Sequence, residues 1–124
     1  MSVLLDSVVI IDHLNGHSVA TDYLRSTSAA SISVVTRAEV LAGLDRDSIE
    51  RVRQLLDRYP ALPIDLETAD LAAELRRINK WKLPDAFQAA LATRYDLAFA
   101  TRNTRDFPPS KYAFVVIPYT LRHN

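Results

Sequence analysis

The sequence predicts an α/β fold of three layers, with helices on both faces of a central, mainly parallel sheet of about five strands. Two observations carry this. Short apolar runs such as Val3-Leu4-Leu5 and Leu97-Ala98-Phe99-Ala100 end abruptly at polar residues, the pattern of strands buried on both faces. Between such runs lie stretches with apolar residues at helical spacing, and strands interleaved with helices at these intervals imply a parallel sheet with crossover helices.

Taken in order, Val3-Leu4-Leu5 is the first strand, and Val8, Val9, Ile10, Ile11 and Leu14 fall on a helix that Asn15-Gly16 ends. A second helix covers His17 to Arg25, with Val19, Tyr23 and Leu24 facing inward. Ala30 to Val35 alternates small polar and β-branched residues and reads as strand two. Thr36 then opens a helix through Leu44 that contains Gly43, at a cost of ~1 kcal/mol relative to Ala, and the glycine is a candidate for close approach of a neighbour. Ser48 starts a helix with Ile49, Val52, Leu55, Leu56 and Tyr59 on one stripe, stopped by Pro60. Ala61 to Ile64 is a marginal third strand because of Pro63. The next helix runs from Glu67 to about Asn79 with Leu71, Leu75 and Ile78 on one face. Pro84 suits a first helical position, and Ala86, Ala89, Ala90 and Thr93 give that helix a small face for a sheet. Strands at Leu97–Ala100 and Phe114–Ile117 complete the set.

The 124 residues read as one domain, 1–124, of a size that buries ~65–70% of its unfolded surface. No cysteine is present, which excludes disulfides and thiolate metal sites. His13, His17 and His123 form no zinc-binding pattern, so a metal here is a hard ion on oxygen ligands. The formal net charge is zero, which argues against a generally basic coat for nucleic acid. Lys80, Lys82 and Lys111 are the only lysines, however, and the other basic residues are arginines, suited to bidentate phosphate recognition. Asp6 interrupts the first apolar run and no basic segment precedes it, so no signal peptide is read. No run is long enough to span a membrane. A cytoplasmic protein is the expectation.

Acids and amides fall where strands emerge from the core. Asp6 follows strand one, Glu39 lies early in the helix after strand two, and Asn103 and Asp106 follow strand four. The helix before strand four must begin at the same sheet edge where that strand ends, which brings Asp85 there too. Ligands of open parallel sheets sit in the crevice outside the carboxyl ends of the strands. Carboxylates gathered there repel one another unless a cation neutralises them, and Mg²⁺ takes one or two carboxylates together with water and phosphate oxygens. Such an ion polarises a phosphodiester and orients an attacking water, the chemistry of a metal-dependent nuclease. Each residue also has a local use. Asp6 or Ser7 can cap a helix, Thr36-x-x-Glu39 forms a capping box, Asp85 complements a helix dipole, and Asn103 and Asp106 suit turns.

The segments Leu4-Leu5-Asp6-Ser7, Ser33 to Gly43, Leu83-Pro84-Asp85-Ala86 and Ala100 to Phe107 resemble, in order and spacing, the four motifs of PIN-domain ribonucleases. The likeness is greatest to VapC-type toxins of bacterial toxin–antitoxin pairs and runs almost the full length. It implies that Asp6, Glu39 and Asp85 hold Mg²⁺ or Mn²⁺, with Asn103 at the fourth position. It further implies endonucleolytic cleavage of RNA, a homodimer and a cognate VapB-like antitoxin, with some of the apolar helices Val8–Leu14, Val19–Leu24 and Ile49–Tyr59 forming the dimer seam and the antitoxin groove. Two departures stand out. The usual Asp-Thr-Asn is Asp-Ser-Val here, so that Ser7 supplies the hydroxyl and Val8 no amide. The fourth position is a neutral Asn103, which leaves Asp106 to assist.

Arg76, Arg77, Lys80 and Lys82 approach the Asp85 loop, and Arg102 and Arg105 flank Asn103. These are candidate RNA phosphate contacts, along with Ser7, although a solvated helix end accounts for the first group equally well. Trp81 reads as a core or partner-interface residue in preference to a base-stacking one. A haloacid-dehalogenase-type phosphotransferase needs a second Asp where Val8 stands, and a dinucleotide site needs a Gly-rich first turn, whereas Gly16 and Gly43 are the only glycines. The alternative that remains is a PIN-like RNA- or protein-binding module with a degenerate, inactive metal site.

Overall fold

The computed structural model describes residues 2–121. Five strands form one sheet in the order β3-β2-β1-β4-β5, and every adjacent pair is parallel. The strands are β1 (Val3–Leu5), β2 (Ala30–Ser33), β3 (Ala61–Leu62), β4 (Ala98–Ala100) and β5 (Val115–Val116). Six helices, two in each connection between the first four strands, are α1 (Ser7–Leu14), α2 (Ser18–Ser26), α3 (Val34–Ala42), α4 (Ile49–Leu56), α5 (Leu66–Asn79) and α6 (Leu83–Arg94). No helix among the described residues is long and apolar enough to cross a membrane.

Alternation along the strands divides the core in two, since successive side chains of a strand point to opposite faces. Leu4, Phe99 and Val115 pack with Ala72 of α5 and with Ala86, Ala89 and Ala90 of α6 on one face. Val3, Leu5, Ile32, Ala98 and Ala100 pack on the other face with Val9 and Ile10 of α1, Val40 of α3 and Val52 and Leu56 of α4. This is the three-layer arrangement expected.

Several element boundaries differ from the sequence reading, each for a local reason. Val34 and Val35 are helical, not part of strand two, because the Ser33 hydroxyl accepts from the Thr36 amide at 2.9 Å and caps α3 at once. The capping box expected at Thr36 and Glu39 is therefore absent, which frees Glu39 from any capping role. Gly43 is the residue after α3, and a Cβ there meets only carbonyl oxygens at 3.8 Å, so no close neighbour requires glycine. Leu83 opens α6 and Pro84 stands second. Ile78 is 68% exposed and Val19 41% exposed, which removes both from the buried faces assigned to them. On α2 the buried residue is Ala20. Thr93 is also exposed, its hydroxyl donating to the Ala89 carbonyl at 2.8 Å. The inward positions of α6 are instead Ala86 and Gln88 to Ala92, and a helix apolar nearly all round is one enclosed by its neighbours.

Phe99 is completely buried, and its ring stands 5.1 Å from that of Phe107. Phe99→Ala is expected to cost about 3–5 kcal/mol, read as a lower midpoint in equilibrium urea unfolding.

Candidate active site

β1 stops at Asp6 because an ionised carboxylate cannot follow Leu5 into a dry core. The Asp6 amide still donates to the Ala100 carbonyl at 3.0 Å, so the residue stays tied to β4. Its carboxylate is held from two sides. Oδ1 accepts from the Ser7 amide at 2.8 Å and Oδ2 from the Thr101 hydroxyl at 2.6 Å. Burial pushes the Asp6 carboxyl above its ordinary range, outweighing Thr101, Ser7 and the Arg102 charge, which hold it down.

The other acids converge on the same edge. Burial raises Glu39, the Asp6 charge raises it further, and Ser7 opposes both. Asp85, in the first turn of α6, is pushed up to about 6 by burial and then by the charges of Asp6, Asp106 and Glu39, with Lys82 working against them. Asn103 joins the group through its neighbours. Its Nδ2 donates to Asp106 Oδ2 at 2.9 Å, and its backbone amide donates to Thr101 Oγ1 at 3.0 Å. Asp6, Glu39, Asp85, Asn103 and Asp106 thus lie together although four chain segments supply them.

The donors are all oxygens, the Asn103 side-chain carbonyl included, and the crowded negative charge matches a hard divalent cation in kind. Among the described residues no three carboxylates or imidazoles close into a ready metal-binding cluster. Adjustment of the side chains would accompany any binding.

The basic residues have diverse roles. Arg102 turns away from Asn103 to Asp12, with Nε to Oδ2 at 2.6 Å and Nη2 to Oδ1 at 3.0 Å. The Tyr119 hydroxyl donates to the same Asp12 Oδ2 at 2.7 Å. Burial works to raise the Asp12 carboxyl, but Arg102 and Tyr119 outweigh it and hold it below its ordinary value. Arg76 donates to the Trp81 carbonyl at 2.6 Å and so fastens the turn before α6. Arg76, Arg77 and Lys80 line one shallow groove with Ala73 and Leu83, while Lys82 and Arg105 are exposed. Trp81 is a core residue, 5% exposed, with Phe107 at 4.8 Å and Tyr112 at 5.0 Å, and it cannot stack on a base from there. Its Nε1 donates to the Asp106 carbonyl at 2.9 Å, joining the α5–α6 turn to the Asn103 loop.

Sequence reasoning missed Thr101 and Asp12. Thr101 follows the β4 run directly, at the position Asp6 holds after β1, and that parallel was the available signal. Asp12 is the one acid within α1, and nothing local announces a partner ninety residues away.

The chain belongs to the PIN-domain family, whose model matches residues 3–112. Among individual relatives, it is 35% identical over 114 residues to ribonuclease VapC10 of Mycobacterium tuberculosis, covering 86% of each chain. Its fold superposes on a toxin–antitoxin complex from Klebsiella pneumoniae with a TM-score of 0.90 at 33% identity, covering 97% of this chain and 100% of that one. FitAcB from Neisseria gonorrhoeae superposes with a TM-score of 0.78 at 26% identity, covering 96% and 99%.

Two predictions follow from opposite shifts. Asp85 is raised from 3.8 to about 6 in the fold, so its contribution is favourable at acid pH and is lost as pH rises through that window. Metal-free protein is expected to lose on the order of 1 kcal/mol between those limits, once solvent screening is allowed for. Urea unfolding in chelator across a pH series should show the loss, and Asp85→Asn should lessen it, Asp6 and Glu39 being raised as well. The depressed Asp12 carboxyl stabilises above its unfolded pKa and ceases to do so as pH falls through its folded one. Arg102→Ala leaves Asp12 buried without its cation and is expected to cost about 3 kcal/mol at neutral pH by the same measurement.

Proposed function

We propose that this chain is a Mg²⁺- or Mn²⁺-dependent endoribonuclease, the toxin of a toxin–antitoxin pair that arrests growth by cutting cellular RNA. The carrying observation is the gathering of Asp6, Glu39, Asp85 and Asp106 at one sheet edge, where burial and then the charges of the other three acids lift Asp85 to about 6. Membership of the PIN-domain family and likeness to a ribonuclease over most of both chains support the same reading. Asp6, Glu39 and Asp85 would hold the metal, with Asn103 as a neutral fourth donor. When bound, the metal polarises the scissile phosphodiester and lowers the pKa of an attacking water.

The chain's own residues supply the rest. Thr101 and the Ser7 amide fix the Asp6 carboxylate, and Asp106 steadies the Asn103 side chain. Asp106 is exposed enough to accept a proton from water at the mouth of the site. Arg77, Lys80, Lys82 and Arg105 offer positive charge to RNA phosphates beside an acidic centre. Arg102, bound to Asp12, serves the wall of the site instead.

The Klebsiella pneumoniae structure on which the fold superposes is a toxin–antitoxin complex, and on that ground a VapB-like antitoxin is assigned as partner, with a homodimer as the toxin's own state. One domain over 1–124 acting in the cytoplasm completes the reading. A second reading, a binding module with an inactive metal site, is favoured by the neutral Asn103 and by the lack of a closed carboxylate cluster among the described residues.

Asp6→Asn separates the two. Asparagine still accepts from the Ser7 amide, and the Thr101 hydroxyl can turn to receive its amide group, so the fold should persist with unchanged circular dichroism. Cleavage of RNA in Mn²⁺ is expected to fall by more than about 100-fold, beyond the range for loss of an outer contact. Full cleavage by the folded variant would remove Asp6 from the chemistry. No metal-dependent cleavage by wild type would favour the binding module. Light scattering over a concentration series should give the mass of a dimer, and a monomer at high concentration would sink that assignment.

A further inference from the structure

Behind the carboxylates lies a buried polar contact that neither the ionic residues nor the helix caps explain. Gln88 is 1% exposed and Thr36 is fully buried. Gln88 Nε2 donates to Thr36 Oγ1 at 2.7 Å. The Ser33 hydroxyl lies 3.3 Å from the same oxygen, and the Leu5 carbonyl 3.5 Å from it. Gln88 Oε1 accepts nothing from the described residues.

The positions of these residues matter more than their number. Gln88 follows Asp85 by three residues on α6, and Thr36 precedes Glu39 by three on α3, spacings that put each pair on one side of its helix. Leu5 immediately precedes Asp6. The helices α3 and α6 belong to opposite faces of the sheet, yet they touch each other, and this hydrogen bond spans that contact. An amide buried with one acceptor unused is a poor choice for stability, because burying it costs free energy that leucine would avoid. A neutral tie between two elements whose acids repel each other has a different use.

We propose that the Gln88–Thr36 hydrogen bond is a positioning tie, which sets the separation of Asp85 from Glu39 and Asp6 and so determines the affinity of the carboxylate group for a divalent cation. The inference rests on the metal-dependent reading above. Neither residue touches the cation or the substrate. Each acts through the helix it shares with an acid, and a site left loosely supported loses affinity even when every ligand is present.

The test is a double-mutant cycle of Gln88→Leu and Thr36→Val, with thermal melting in chelator and Mn²⁺ affinity by electron paramagnetic resonance of the free ion. Gln88→Leu should melt at or above the wild-type temperature while its Mn²⁺ affinity falls about 10-fold or more. Thr36→Val strands the Gln88 amide and should melt lower, with a similar loss of affinity. In the double variant both partners are apolar, so melting should recover while affinity stays low and falls no further than in the singles. Thr36→Ser, which keeps the hydroxyl, should bind Mn²⁺ as wild type does. Wild-type affinity in Gln88→Leu, or affinity that merely follows the melting temperature through the cycle, would overturn the tie. Should Gln88→Leu fail to fold, Thr36→Val against Thr36→Ser decides by the same affinity readout. Wild type that binds Mn²⁺ yet cuts no RNA would defeat the ribonuclease reading and leave the tie to be decided by the titration, whereas wild type that binds no Mn²⁺ would defeat both.

Discussion

The pairing of β1 on both sides is the constraint on which everything else depends. Three residues, all buried, hydrogen-bond to β2 on one flank and β4 on the other. A strand this short in the middle of a sheet has no freedom to slip, since a shift of one residue would exchange the two faces of the core. Leu4 packs against α5 and α6 while Val3 and Leu5 pack against α1, α3 and α4. Asp6 is therefore delivered to one place, the carboxyl end of the central strand. With every neighbour parallel, the ends of β2 and β4 arrive at the same edge, and their acids with them.

The outcome is an edge with too much negative charge for its own counterions. Arg102 is the cation next in sequence to that edge, but it is fully engaged in a two-point contact with Asp12 and ranks last among the influences on Asp6. Lys82 alone is set against the three acids that bear on Asp85. Neutral donors, Thr101 and the Ser7 amide, hold Asp6 in place of a buried cation. Hydrogen bonds of this kind orient a carboxylate without cancelling its charge, so the charge remains available to an external cation.

The structural residues around the edge are as specific as the acids. Trp81 connects the α5–α6 turn to the loop of Asn103 through its indole N–H, and Arg76 fastens the same turn through the Trp81 carbonyl. Tyr119 brings the segment after β5 back onto Asp12. Arg102, a candidate RNA contact from the sequence, thus holds the frame of the site together with Trp81, which is the core residue expected. Their types were compatible with either role, and the partners each side chain meets distinguished them.

Much was legible in the sequence because it was local. Apolar runs cut off by Asp6 and Thr101 mark where strands leave the core, and the order of strands and helices implies a parallel sheet. From these alone Asp6, Glu39, Asp85, Asn103 and Asp106 could be set at one edge. The start of α3 was misread because Val34 and Val35 favour strands, whereas the Ser33 hydroxyl turns the chain into a helix two residues earlier. The exposure of Ile78 was equally hidden, since helical spacing states which residues share a face and not which face is covered. What tertiary structure alone decided are the pairings across long separations: Asp12 with Arg102, Asp6 with Thr101, Gln88 with Thr36. A hydrogen bond requires two groups to meet within about 3 Å, and residues fifty or ninety positions apart carry no sign of that meeting until the sheet has brought their ends together.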